Sequence, residues 1–255
     1  MHREVLFFGF QQSYAVRLDF DYVGRDCIFL PNIISVLNAV INRYRLVVGV
    51  EKERIPYEHY LELYQKGDPK EISQRTGIPY DPEKQMFMLH LMGVTYFVKH
   101  PEYEVTHVQE DRIGYYPLET AVNARILVLR YLVEGHAALS TGKFITYREA
   151  PWGSVYLKQF TGRCIMRLAY GFGNKQELFK NAMEKIGATA LSHGDISYEF
   201  EFLDGYRLQM ILWEGDDEFP PSSQILFSDN FPIAFQAEDM AVVGDISISM
   251  IKALA

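Results

Sequence analysis

The sequence has 255 residues, of which 48% are hydrophobic and 14% aromatic, and 33 acidic against 25 basic side chains give a formal net charge of −8. This composition excludes a disordered chain, a collagen-like repeat and a disulfide scaffold. The negative charge repels phosphate backbones and no window concentrates Lys and Arg, so we expect neither nucleic acid nor a membrane as a partner. The apolar runs at residues 5–10 and 33–41 are too short for a secretion signal or a membrane span, which favours a cytoplasmic protein.

The distribution of lysine divides the chain. Residues 1–49 contain none of the eleven lysines and carry a net charge of +1, from five basic and four acidic side chains, which leaves −9 for residues 50–255. This break predicts one main domain over residues 50–255, preceded by an extension over residues 1–49 that is either an accessory segment or a translated stretch ahead of the true start. The alternative is that the break arises by chance and that residues 1–49 pack into the main core.

Local patterns predict the elements of the first half in chain order. Residues 57–65 favour a helix, and Asp68 followed by proline caps a second one that ends at Gly77. Residues 85–91 and 94–99 flank Met92-Gly93 and predict an antiparallel hairpin. Residues 118–134 predict an amphipathic helix, whose apolar face is formed by Leu118, Val122, Ile126, Leu129 and Val133.

The second half begins with residues 142–160, where short strands and a tight turn at Pro151-Trp152-Gly153 are predicted. Helices follow over residues 163–172 and 175–186, the second capped by Asn174. A strand over residues 224–227 and a helix over residues 238–253 end the chain.

A second hairpin is predicted from strict alternation in residues 196–202 and 206–212. A three-residue loop, with Gly205 in the left-handed position, pairs Phe202 with Tyr206 and Phe200 with Leu208 and keeps the apolar side chains on one face. The whole pattern predicts an α+β fold, with a mostly antiparallel sheet and helices packed on one face.

Four carboxylates lie within five residues just after this hairpin, in Trp213-Glu214-Gly215-Asp216-Asp217-Glu218. The register brings His193-Gly194-Asp195 towards the same end of the sheet. A group of His and carboxylate side chains can hold a metal ion or transfer protons, so a metal site is predicted at His193, Asp195, Asp216, Asp217 and Glu218. The alternative is a solvated loop in which Asp195 caps backbone amides.

A ligand pocket is predicted at three aromatic side chains, Trp152, Tyr156 and Trp213, with Arg148 and Arg163 at its edge. Arginines among aromatics can bind an anionic ligand, although a structural ion pair is the alternative. The spacings of a phosphate loop, a dinucleotide fingerprint and a nucleophile elbow are missing, and Cys27 and Cys164 have no metal-ligand spacing. The sequence therefore assigns neither a catalytic residue nor a cofactor.

Several motifs occur in order over more than half of the chain: Thr141 to Glu149, Pro151-Trp152-Gly153, Tyr156, Phe160, Arg163, Gly187, His193-Gly194-Asp195, Leu212 to Pro220, Ile225-Leu226-Phe227 and Glu238-Asp239. With them, residues 118–254 resemble the DUF3786 family, a domain of unknown function, and residues 51–81 look like its opening helices. Family members come largely from anaerobic bacteria and archaea, and some are joined to a four-cysteine iron–sulfur domain. The resemblance implies an accessory role in anaerobic corrinoid or iron–sulfur cofactor metabolism. Since this chain lacks the cysteine-rich module, any cluster would lie in a partner.

Three functions follow as hypotheses. The first is a binding or accessory protein that recognises a small molecule, a metal-bearing cofactor or a protein partner. The second is a metal-assisted or acid/base hydrolase-type enzyme that uses the His193 and carboxylate cluster. The third is a structural interaction protein whose acidic loop only maintains solubility. The positions of these side chains in the fold discriminate between them.

Overall fold

The computed structural model describes residues 55–110 and 113–255, which fall within one compact unit, Gly49–Ala255. The extension expected over residues 1–49 lies outside the described residues, so the domain boundary stays a prediction. The elements of the first half are α1 (residues 55–66), α2 (Pro69–Thr76), β1 (Tyr80–Asp81), β2 (Met86–Leu91), β3 (Val94–Lys99), β4 (Val105–His107), α3 (Pro117–Thr120), α4 (Val122–Glu134) and β5 (Phe144–Thr146).

The second half begins with a 3-10 helix and a long helical run that contains a π-helical turn. Its elements are the 3-10 helix (Tyr147–Glu149), α5 (Gly153–Phe160), the π turn (Thr161–Ile165), α6 (Met166–Phe172), α7 (Gln176–Lys185), β6 (Thr189–Leu191), β7 (Ile196–Leu203), β8 (Tyr206–Trp213), β9 (Ser222–Ser228), α8 (Phe231–Ala234) and α9 (Ala237–Leu254). No helix in the described part of the chain is long and apolar enough to cross a membrane.

The nine strands of the described residues form one antiparallel sheet in the order β4-β3-β2-β7-β8-β9-β5, with β1 paired to β2 and β6 paired to β7. Alternate side chains of the central strands, such as Phe200 and Leu208, are buried. On the other face of the sheet, Arg207 Nε and Gln209 Nε2 donate to the Glu199 carboxylate at 2.6 and 2.9 Å. One face therefore carries the core and the other is polar, and the predicted α+β fold is confirmed.

Both predicted hairpins are present. Leu91 pairs with Val94 across Met92-Gly93, as expected. In the β7–β8 hairpin Phe200 pairs with Leu208, but Tyr206 pairs with Leu203 rather than with Phe202. The predicted three-residue loop is therefore wrong in detail. The extra residue forms a bulge between Glu201 and Leu203, which preserves the buried face on both sides of the irregularity.

The prediction of short strands over residues 142–160 is correct only for β5. Val155 and Tyr156, whose β-branched and aromatic side chains favour a strand, instead lie in α5. The helix begins at Gly153, which packs so closely against the Tyr147 carbonyl that a Cβ would lie 1.9 Å from the oxygen. Trp152, just before it, has a left-handed backbone with φ 64°. A non-glycine residue in this conformation costs about 1–2 kcal/mol.

Two helix predictions need correction. The helix predicted over residues 118–134 is interrupted at Ala121, whose φ of −113° and ψ of 115° are extended, so the apolar stripe changes phase there. As a result Val122 is exposed, and Leu127 and Val128 are buried instead. Asn174 does not cap α7, which has Lys175 at its N-cap and no side-chain cap bond.

We predict that Gly153→Ala destabilises the fold by about 1–3 kcal/mol, because the added methyl group meets a backbone carbonyl that cannot move without displacing the 3-10 helix. Gly171→Ala is the matched control: Gly171 lies in α6, and an added Cβ would meet no other atom within 4 Å, so this variant stabilises slightly through helix propensity. Urea denaturation midpoints of the two variants measure the contrast. Equal midpoints would show that the Tyr147 contact does not constrain the turn.

Candidate functional site

The turn between β5 and α5 positions the walls of two surface grooves. Thr146 donates from its backbone N and its Oγ1 to Glu149 Oε2 at 2.6 and 2.8 Å, which closes the 3-10 helix and lowers the pKa of Glu149. The Tyr147 ring stacks on Phe160, with a centroid distance of 3.9 Å and an interplanar angle of 1°. Its hydroxyl donates to the Ala237 carbonyl at 2.8 Å, so the turn is tied to both α5 and α9.

The first groove, which we call the Arg148 groove, has a volume of about 520 Å³, within the range of small-molecule sites. It lies where β5 and its 3-10 helix meet β9 and the helical run from α5 to the π turn. Its lining residues are Thr146, Tyr147, Arg148, Leu157, Phe160, Thr161, Ile165, Trp213, Ser223, Gln224 and Ile225.

Several polar side chains that line the Arg148 groove have no partner among the described residues. They are the Arg148 guanidinium, the Trp213 indole N–H, the Thr161 hydroxyl and the Gln224 amide. The guanidinium and the indole can only donate hydrogen bonds, and the amide carries two donor hydrogens. Around them the walls are apolar, at Leu157 and Phe160 among others. The groove therefore offers a donor-rich rim above an apolar floor.

One wall of the Arg148 groove is the π turn, which contributes Thr161 and Ile165. The Ser223 hydroxyl of β9 donates to the Ile165 carbonyl at 2.7 Å and so joins the turn to the sheet. Single π turns inside α-helices occur frequently at functional sites. The π turn therefore marks the groove independently of the side chains that line it.

The second groove, which we call the Trp152 groove, has a volume of about 700 Å³ and shares no lining residue with the first. It lies between the start of α5 and the segment that joins α8 to α9. Its lining residues are Pro151, Trp152, Val155, Tyr156, Pro232, Phe235, Gln236, Ala237 and Glu238. A smaller cavity of about 160 Å³ adjoins it and contains the Arg130–Asp239 ion pair, whose Nη1 and Oδ1 atoms lie 2.5 Å apart.

The five predicted ligand-binding residues do not form one pocket. Arg148 and Trp213 line the Arg148 groove, whereas Trp152 and Tyr156 line the Trp152 groove. Arg163 lines neither of these grooves and instead pairs with Asp245 of α9 at 2.7 Å. For Arg163 the structure shows the structural ion pair that was the alternative.

The five predicted metal ligands do not converge. Among the described residues, no group of three or more His, Cys, Asp or Glu side chains is arranged to hold a metal ion. Asp195 Oδ2 accepts from the Glu214 backbone N at 2.7 Å. Asp216 Oδ1 accepts from the backbone N of Glu218 and of Phe219 at 2.8 and 2.7 Å. Both carboxylates therefore bind backbone amides at this end of the sheet.

The two motifs that suggested a metal site instead connect the residues before β7 to the end of β8. His193, Gly194 and Asp195 lie beside the Trp213 end of β8, as the hairpin predicted, and the Asp195 backbone N donates to the Leu212 carbonyl at 3.0 Å. Gly194 has a φ of 60°, and a Cβ there would lie 2.7 Å from that same carbonyl. The exposed side chains of His193, Asp217 and Glu218 make no hydrogen bonds with the described residues.

Sequence reasoning missed Thr161, Gln224 and Ser223 as groove residues. Thr161 lies in the π turn, and α-helical periodicity gives no signal for such a turn. Gln224 and Ser223 reach the groove through the pairing of β9 with β8 and β5, in which Thr146 lies opposite Leu226. The one usable signal was the polar content of a short strand next to the aromatic motif.

The described residues form an α+β protein with an antiparallel sheet, helices on one face and two surface grooves on either side of the turn that begins α5. The family model described as "Domain of unknown function (DUF3786)" matches residues 68–250. The chain therefore belongs to the DUF3786 family, as the resemblance implied. No curated protein and no solved structure matches it.

We predict that Asp216 anchors the loop between β8 and β9 through its backbone bonds. These bonds hold the pKa of Asp216 below its ordinary value of 3.8, so the stabilisation is complete above pH 3.8 and is lost as the pH falls through the lower folded-state pKa. Asp216→Asn keeps an acceptor oxygen, whereas Asp216→Ala removes it. NMR amide shifts of Glu218 and Phe219 therefore change with Ala but stay near the native values with Asn.

Asp217→Ala is the matched control for this measurement, since the neighbouring carboxylate accepts no backbone bond from the described residues. Native-like amide shifts in Asp216→Ala would show that the loop does not depend on this side chain.

Proposed function

We propose that this protein is a binding protein whose Arg148 groove takes a small anionic ligand with a flat apolar body. The observation that carries the proposal is the Arg148 guanidinium, unpaired among the described residues, in a groove that also holds the free Trp213 indole N–H and an apolar floor. A guanidinium pairs with a carboxylate or phosphate through two parallel hydrogen bonds. Trp213, whose surface is 36% exposed, offers a ring face and a donor to the same ligand.

The charge of the groove favours the binding of an anionic ligand. In the part of the chain that the structure describes, Arg148 is the only charged side chain that lines it. The chain as a whole carries −8, so the general field opposes an anion and the local guanidinium has to supply the attraction. A ligand that also has apolar surface gains from burial against Leu157 and Phe160, which adds to the charge pairing.

The rigidity of the groove supports a preformed site. Arg148 lies within the 3-10 helix that Thr146 and Glu149 close, and the Tyr147–Phe160 stack fixes that helix on α5. Ser223 holds the π turn on the opposite wall. A site whose walls are fixed before binding loses less conformational entropy when the ligand enters.

The accessory role in anaerobic corrinoid or iron–sulfur cofactor metabolism, which the family resemblance implies, is compatible with this site as a proposal. A cofactor fragment with a carboxylate or phosphate group on an apolar body has the chemistry that the Arg148 groove offers. The metal-assisted enzyme is not proposed, because Asp195 and Asp216 bind backbone amides rather than a common centre.

The two tryptophans of the chain allow each groove to be tested separately, since Trp213 lines one and Trp152 the other. In a Trp152→Phe background, we predict that phenyl phosphate changes Trp213 fluorescence saturably. Arg148→Gln in this background weakens the affinity about tenfold, which corresponds to roughly 1.4 kcal/mol, because the ligand loses its charge-assisted hydrogen bonds.

Lys143→Gln is the matched control, because Lys143 is an exposed cation five residues earlier that does not line the groove, and it changes the affinity by less than about twofold. Benzyl alcohol, which has the ring without the anion, binds more weakly than phenyl phosphate. Equal affinity for the two compounds, or an Arg148→Gln variant that binds phenyl phosphate as well as its parent, contradicts the proposal.

A further inference from the structure

The Trp152 groove differs from the Arg148 groove in the charge of its lining, which carries a carboxylate in place of a guanidinium. We propose that it binds a small organic cation, such as an alkylated ammonium group, between the Trp152 and Tyr156 rings and the Glu238 carboxylate. This inference does not depend on the anion site, since the two grooves share no lining residue.

An exposed tryptophan lies on an ordered turn at one wall of the groove. Trp152 has 75% of its surface exposed and a left-handed backbone, with φ 64° and ψ 0°. The backbone N of Gly153 donates to the Ala150 carbonyl at 2.9 Å, and Gly153 is packed against Tyr147. The indole is therefore held on an ordered turn. A strained backbone conformation of this kind is found at ligand-binding positions.

The walls of the groove are aromatic and apolar. Trp152, Tyr156 and Phe235 bring three aromatic rings to the groove, together with two prolines. Aromatic ring faces carry negative electrostatic potential and attract cations, most strongly at tryptophan, and recognition of quaternary ammonium groups by aromatic cages relies on this attraction.

The charge at the groove is negative. Among the described residues, Glu238 is the only charged side chain that lines the groove. Its carboxylate raises the pKa of Tyr156, so the tyrosine ring stays neutral beside it. Glu238 lies in the first turn of α9, whose amino terminus carries about half a positive charge, which leaves a net negative charge at the groove.

The cationic side chain of the adjoining cavity is already neutralised. Arg130 in that cavity pairs with Asp239, and its guanidinium lies 5.3 Å from the Tyr60 ring centroid. Asp239 also accepts from the Gln236 backbone N at 3.1 Å. Arg130 therefore adds no uncompensated positive charge, and the net charge of −8 on the chain favours the approach of a cation.

The test uses Trp213→Phe, in which Trp152 is the only tryptophan. The probes are choline and its uncharged carbon isostere 3,3-dimethylbutan-1-ol, which have nearly the same shape. We expect choline to change Trp152 fluorescence saturably and to bind about three- to thirtyfold more tightly than the isostere, the range expected of a cation–π contact aided by a carboxylate. Equal binding of the two probes, or no saturable response to choline, overturns the proposal.

The variants separate the two contributions. Glu238→Gln in the same background weakens choline binding about tenfold and leaves binding of the isostere unchanged, whereas the exposed loop residue Glu218 serves as control, with Glu218→Gln unchanged for both. Tyr156→Phe keeps the ring, so we expect it to weaken choline binding less than Glu238→Gln does, and the melting temperature of each variant checks that it is folded. A Glu238→Gln variant with the native melting temperature and native affinity for choline overturns the role of the carboxylate.

The two sites fail independently. Glu238→Gln, Glu218→Gln and Tyr156→Phe change no residue that lines the Arg148 groove, so none of them alters phenyl phosphate binding there when Trp213 is retained as the probe. An absent choline response in Trp213→Phe itself, together with an intact phenyl phosphate response in Trp152→Phe, therefore overturns the cation site alone.

Discussion

Tyr147 is the side chain on which the arrangement of both grooves depends. Its ring stacks on Phe160, its hydroxyl binds the Ala237 carbonyl and its own carbonyl leaves no room for a Cβ at Gly153. These contacts fix the start of α5 against β5 on one side and α9 on the other. Burial raises the pKa of Tyr147 to about 12, so the hydroxyl remains a proton donor over the physiological pH range. The Tyr147 hydrogen bond that holds the two grooves apart is therefore kept over this pH range.

The most distinctive motifs of the sequence form hydrogen bonds with the backbone. Asp195 and Asp216 accept from loop amides, and Asn174 Oδ1 accepts from the Gly215 backbone N at 3.0 Å. A loop at the end of a strand has backbone groups that no strand partner satisfies, and short polar side chains satisfy them. By holding this loop, the three side chains fix Trp213 at the end of β8, where it lines the Arg148 groove. Their contribution to a site is therefore indirect.

Much of the fold follows from local pattern. The two hairpins, α2 with its Asp68 cap and the long terminal helix were predicted because each is determined by turn residues, capping residues and periodicity close in sequence. The errors occur where tertiary contacts override local preference. Val155 and Tyr156 favour a strand by composition, yet the Gly153–Tyr147 contact starts a helix ahead of them. The bulge between Glu201 and Leu203 likewise departs from the local alternation.

The sites were less predictable because long-range pairing assembles them. Thr146 meets Leu226 only through the pairing of β5 with β9, and this pairing separates Arg148 and Trp213 from Trp152 and Tyr156. The predicted residue types were informative, but their division between two grooves was not accessible from spacing. The net charge then acts differently at the two proposed sites. At the Trp152 groove the local and overall charges both attract a cation, so added salt weakens its binding steadily. At the Arg148 groove the local positive charge and the overall negative charge act in opposite directions on an anion, so the salt dependence of its binding is shallower.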